Sequence, residues 1–179
     1  MSVLQIIYAP NKVFQSKAEP VKEVDDNIRQ LVDNMYHTME FEKAVGIGAN
    51  MVGILQRIVV IDLRENNISK PFCLINPEII WSSDQNQTFE EASLCFPGIV
   101  APVVRPNAIK VKYLDYDGKT QESTFEGFPA TVVQHELDYL NGKVFLDHLS
   151  KMKRDILLKK MQKYMNSHKP HIHSAECRH

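Results

Sequence analysis

The residues with the clearest chemical potential stand together at Gln134-His135-Glu136-Leu137-Asp138-Tyr139. On a helix, His-Glu-x-x-His sets two imidazoles one turn apart on one face, where they can share a zinc ion. The glutamate beside the first histidine then takes a proton from the metal-bound water. This chain keeps the first histidine and the glutamate but has Tyr139 where the second histidine would stand. A lone helical histidine is more often a hydrogen-bonded core residue than a ligand. Cys73, Cys95 and Cys177 are odd in number and far apart, which argues against a disulfide framework and for a reduced, cytoplasmic protein. His168, His171, His173, Cys177 and His179 form a tail able to bind transition metals adventitiously.

These residues need elements to hold them. Ile28, Leu31, Val32, Met35 and Met39 fall at helical spacing behind Asp25-Asp26, predicting a helix over 25–43 with His37 on its solvated side. Ile58 to Leu63 is a continuous apolar run with β-branched residues, hence a buried strand. Further strands are predicted at 72–80, with Pro77 marking an edge or bend, and at 88–94. Ile109, Val111 and Tyr113 alternate with lysines into the Asp117-Gly118 turn, and 119–125 returns. Pro129 opens a core helix over 128–141, closed by Asn141-Gly142. A last helix over 149–166 has Leu149, Met152, Ile156, Met161 and Met165 as its expected buried side. The pattern is an α+β fold in a single domain, residues 1–166, followed by a flexible His-rich tail, 167–179.

The 179 residues carry 21 Lys and Arg against 22 Asp and Glu, a formal charge of -1. No global field recruits DNA or an anionic membrane, and no apolar run approaches a membrane span. Charge is uneven locally. Lys151, Lys153, Arg154, Lys159, Lys160, Lys163 and Lys169 face only Asp155 over 151–169, a solvated helix face that also suits rRNA phosphate.

Three segments, in order, resemble the signature motifs of the peptide deformylases. They are Gly46-Ile47-Gly48 followed by Val52-Gly53, then Glu91-Ala92-Ser93-Leu94-Cys95-Phe96-Pro97-Gly98, and then Gln134-His135-Glu136. Leu74-Ile75-Asn76-Pro77-Glu78, Asp115-Tyr116-Asp117-Gly118 and Leu140-Asn141-Gly142-Lys143-Val144-Phe145 extend the likeness over residues 3 to about 165. The resemblance implies mostly antiparallel sheets around a central helix carrying His135 and Glu136, plus a C-terminal helix. It implies an ancestry in removing the formyl group from N-terminal formyl-methionine of nascent peptides. In that family an iron or zinc ion on one cysteine and two histidines activates a water. Carried over, His135 is the first histidine ligand, Glu136 the general base, and Leu94 the residue whose backbone N–H steadies the oxyanion. Gly46, Ile47 and Gly48 belong to the substrate-binding motif. The nascent peptide N-terminus and, through the basic C-terminal helix, the ribosome are the partners the resemblance implies.

The departures strike the reaction centre. Ser93 stands at the cysteine ligand, Tyr139 at the second histidine, Ala92 at the preceding glycine and Met51 at the oxyanion glutamine, in a motif two residues short. A serine hydroxyl is neutral at pH 7 and a phenol titrates near ~10, whereas a thiolate is anionic and soft. If strand 88–94 ran on, Cys95 would lie ~6.6 Å beyond Ser93 and could not replace it; it reads as a small buried residue. The expectation is a site with little or no metal, no cofactor, and an inactive or severely impaired member. The alternative is a working amide hydrolase holding one divalent iron or zinc on Ser93, His135 and Tyr139.

Overall fold

The computed structural model describes residues 1–64 and 68–168. Helix α1 (Asp26–Phe41) starts at Asp25, whose carboxylate accepts from the Ile28 N–H, and buries Ile28, Val32, Met35 and Met39. Then follow β1 (Gly46–Gly48), a 3-10 turn at Ala49–Val52, β2 (Ile58–Ile61) and β3 (Phe72–Ser82). Next come β4 (Asn86–Ser93), β5 (Phe96–Pro106), β6 (Ala108–Leu114), β7 (Thr120–Glu126), α2 (Phe128–Leu140) and α3 (Lys151–Ser167). Every pairing within the two sheets is antiparallel: one sheet runs β1-β2-β3-β6-β7 and the other is the β4–β5 hairpin.

The apolar run in β2 has a structural cause. Ile58 and Val60 face a core shared with α1, Cys73 and Ile75, while Val59 and Ile61 face a second core with Leu74, Ile109, Val111 and α2. A strand covered on both faces has no polar side to show. The same logic buries α2 nearly all round: Ala130, Val133, Leu137 and Leu140 meet the sheet, and Tyr139 joins the other core. The α+β class and the central helix carrying His135 and Glu136 are as the resemblance implied.

Three local expectations need correction, and one element was not foreseen: Phe96–Pro106 is a full strand that buries Phe96, Ile99, Ala101, Val103 and Arg105. Leu94-Cys95 is the tight turn joining Ser93 to Phe96, so Cys95 is not on a continuing strand, although it is buried. The buried side of α3 is only partly the expected stripe. Leu149, Met161 and Met165 pack inward as expected, but Met152 is 71% and Ile156 59% exposed, and Leu157 and Leu158 take their places. Ser167 closes α3 rather than opening a tail, and the histidines at 171, 173 and 179 lie outside the described residues. Pro77 marks a bulge: Asn76 sits at φ 52°, and its side chain pairs with both backbone polar groups of Val21 at 2.8 Å. Among the described residues no helix is long and apolar enough to cross a membrane.

Candidate active site and its altered centre

Three elements converge on a cavity of about 580 Å³: β1 with its 3-10 turn, the end of the β4–β5 hairpin, and the outer face of α2. Val45, Leu94, Phe128 and Val132 give it apolar walls, Tyr8 and Lys43 stand in its lining, and Met51, Ser93, His135 and Glu136 reach it. Of the expected substrate-binding residues, Gly46 lines the cavity, whereas Ile47 is wholly buried in the α1 core. Gly46 and Gly48 lie against the Glu136 carboxyl. A Cβ on Gly46 would fall 3.0 Å from Oε1, and one on Gly48 3.6 Å from Oε2, so a side chain at 46 would push the carboxyl aside.

Glu91 anchors the centre. Arg105 donates Nε to Oε1 at 2.6 Å and Nη2 to Oε2 at 3.0 Å, and His135 Nδ1 meets Oε2 at 2.7 Å. Burial alone would keep Glu91 protonated, but the hydrogen bonds from His135 and Arg105 outweigh it and hold the carboxyl down to about 2. An ionised Glu91 is an acceptor, so His135 donates its Nδ1–H to it. Arg105 continues through Nη1 to Asp138 Oδ2 at 2.8 Å, which also accepts from His148 Nε2 at 2.7 Å. Sequence reasoning missed Arg105, Asp138 and His148. The alternation along β5 was the signal for Arg105, an inward charge that needs buried partners.

Glu136 is 4% exposed; its Oε2 has no partner, and burial pushes the carboxyl up to about 7 against the opposing influence of His135. The Met51 sulfur takes the Gly48 N–H at 3.4 Å and stabilises the 3-10 turn instead of offering a donor to the cavity. Behind the turn, Asn50 donates Nδ2 to the Tyr139 carbonyl at 2.6 Å, while its Oδ1 has no partner.

Ser93 and Tyr139 are hydrogen-bonded to each other, Oγ to Oη at 2.6 Å. Ser93 Oγ also accepts from the Cys95 N–H at 3.3 Å. Burial raises the Tyr139 hydroxyl well above its ordinary range, so the phenol stays neutral; its ring stacks edge-on to Phe14 at 5.6 Å. Burial also pushes up the Cys95 thiol, so it offers no thiolate. Two oxygens ligating one ion at ~2.0 Å in tetrahedral geometry would stand ~3.3 Å apart. At 2.6 Å they share a proton. The donors left are one imidazole nitrogen and two neutral hydroxyls committed to each other, and that set does not fit zinc or ferrous iron. No three His, Cys, Asp or Glu side chains among the described residues cluster for a metal either.

A sequence profile of the polypeptide deformylase family matches residues 3–155. The chain belongs to the polypeptide deformylase family. A relative named peptide deformylase-like, from Rickettsia conorii, is 61% identical over 175 residues, 98% of this chain and 96% of the relative. Peptide deformylase 1 of Pseudomonas syringae pv. tomato is 44% identical over 163 residues, 91% of this chain and 96% of the other. The crystal structure of peptide deformylase from Ehrlichia chaffeensis with actinonin superposes with a TM-score of 0.87 at 40% identity, covering 92% of this chain and 98% of that one. Among peptide deformylases, this member therefore keeps the fold around His135, Glu136, Glu91 and Leu94 but carries Ser93, Tyr139 and Met51 at three positions of the expected chemistry.

Proposed function

We propose that this member retains the peptide cleft of the deformylases without their metal-dependent hydrolysis, binding the methionyl N-terminus of a peptide and releasing it unchanged. The observation that carries this reading is the closed Ser93–Tyr139 pair, which occupies the place of two ligands with one shared proton. Without an ion to acidify a bound water, Glu136 has no nucleophile to prepare at neutral pH. Loss of an oxyanion donor at Met51 would by itself lower a rate ~10²–10³-fold. What supports binding is the apolar cavity, whose walls do not depend on an ion.

The test pairs elemental analysis of protein purified without added metal with formate release from formyl-Met-Ala. The expected outcome is substoichiometric metal and release at the buffer rate, unchanged by Glu136→Ala. Stoichiometric zinc or iron, with release that falls in Glu136→Ala, would establish the altered-ligand hydrolase on Ser93, His135 and Tyr139 instead.

A further inference from the structure

Helix α3 is cationic on a molecule that is otherwise acidic. It carries six of the chain's 21 basic side chains and one of its 22 acids, Asp155. Arg154 is held by Asp147 at 2.6 Å, whereas Lys151, Lys153, Lys159, Lys160 and Lys163 are exposed. Leu157, Leu158, Met161 and Met165 turn to the protein. The helical period then sets Met152, Ile156, Lys159 and Lys163 along one stripe on the opposite side. Met152 is 71% and Ile156 59% exposed, so two large apolar side chains one turn apart stand in water among lysines. Single exposed apolar side chains are ordinary on a protein surface. This pair lies on the outermost line of a basic helix.

Lysines alone suit any polyanion, nucleic-acid phosphate included. Phosphate contact does nothing for Met152 and Ile156, whose methyl groups would stay against charge and water. An anionic bilayer surface uses both parts of the stripe. Its headgroup phosphates attract the lysines, and the boundary between headgroups and acyl chains takes up the apolar side chains. Lysine stems are long enough to lie along that boundary while the ammonium stays at headgroup level. The inner side of α3 is packed on β5, so the helix can lie flat on such a surface without leaving the protein. We propose that the outer face of α3 docks on anionic lipid bilayers. Met152 and Ile156 enter the headgroup boundary, and Lys153, Lys159, Lys160 and Lys163 meet the lipid phosphates. The proposal is independent of what the cleft binds.

Co-sedimentation of the full chain with phosphatidylcholine vesicles, with and without about one-third phosphatidylglycerol, tests it at low salt. Binding is expected to be at least ~10-fold tighter on the anionic vesicles and to weaken as salt is added. Lys159→Gln with Lys163→Gln should weaken it by at least ~10-fold. Met152→Ser with Ile156→Ser should weaken it about tenfold, because the apolar contact is lost while every charge remains. Both pairs are at exposed positions, so the melting temperature should not move. Poly(U) is the comparison polyanion, and the serine pair should bind it as wild type does, since phosphate contact needs only the lysines. Equal binding to the two vesicle types, or none to either, overturns the proposal. Undiminished vesicle binding by the serine pair also overturns it and makes nucleic-acid phosphate the better occupant. A fall in both vesicle and poly(U) binding by the serine pair would trace the loss to a disturbed helix and likewise overturn the lipid assignment.

Discussion

Glu136 and Glu91, two buried carboxyls lining one cavity, leave the ordinary carboxylate range in opposite directions. Glu91 accepts from Arg105 and His135, which outweigh its burial and keep it ionised; Glu136 resists ionising because burial outweighs the opposing influence of His135 and the Gly48 backbone. The consequences for stability fall in separate pH windows. Glu91, held at about 2, adds stability that is present above its unfolded value near 4.5 and is lost as the pH falls through 2. Glu136, raised to about 7 from 4.5, keeps its proton in the folded chain while the unfolded chain releases it, so its contribution is lost as the pH rises from 4.5 through 7. The loss amounts to ~3 kcal/mol and levels off above pH 7. Urea unfolding of wild type and Glu136→Gln between pH 4.5 and 8 checks it: the difference in ΔG between them should slide with pH, and a constant difference would refute the assignment. Ser93 and Tyr139 make the other point at this scale. Their residue types alone announced a poor donor set; only their separation of 2.6 Å shows that they satisfy each other.

Among the elements, the β4–β5 hairpin does most to define the site, because it carries Glu91, Ser93 and Arg105, and α3 is packed against β5 from outside. That contact is made at Gly98, where φ is 76° and a Cβ would lie 2.3 Å from Tyr164 Cγ. Gly98→Ala should therefore strain the backbone and lift α3, lowering stability by ~2–4 kcal/mol. Denaturant unfolding measures this, and a loss below ~0.5 kcal/mol would mean that α3 is not seated on β5. The helix stripe expected from spacing held at Leu149, Met161 and Met165 but not at Met152 and Ile156, because α3 packs on β5 along a narrow strip and leaves those two in solvent. β5, not foreseen from the sequence, carries Pro97, Pro102 and Pro106, residues poor in strands. In a two-stranded hairpin their missing N–H groups sit on an edge and cost little.

For the whole molecule, two hydrophobic cores on either side of the five-stranded sheet are large enough for a chain of this size to fold without a structural ion. An ion present at 1,000 times its Kd would add ~4 kcal/mol to a protein that binds it only when folded. Chelator or equimolar zinc should accordingly shift the melting temperature by less than ~1 °C. A shift of several degrees by scanning calorimetry would show that the folded centre holds a metal. The sequence by itself determined the α+β class and the place of His135 and Glu136 on a buried helix, and its motifs carried the likeness to the family; the helices are matters of periodicity, which a linear chain displays, and the motifs are matters of residue type in order. The tertiary structure alone decided that Glu91, Arg105, Asp138 and His148 form one chain of charge, that Met51 turns to Gly48, and that Glu136 and Asn50 keep unpaired oxygens. Such pairings join residues as far apart as 89 positions, and their geometry is set by how sheet, hairpin and helix pack together, which local sequence does not encode.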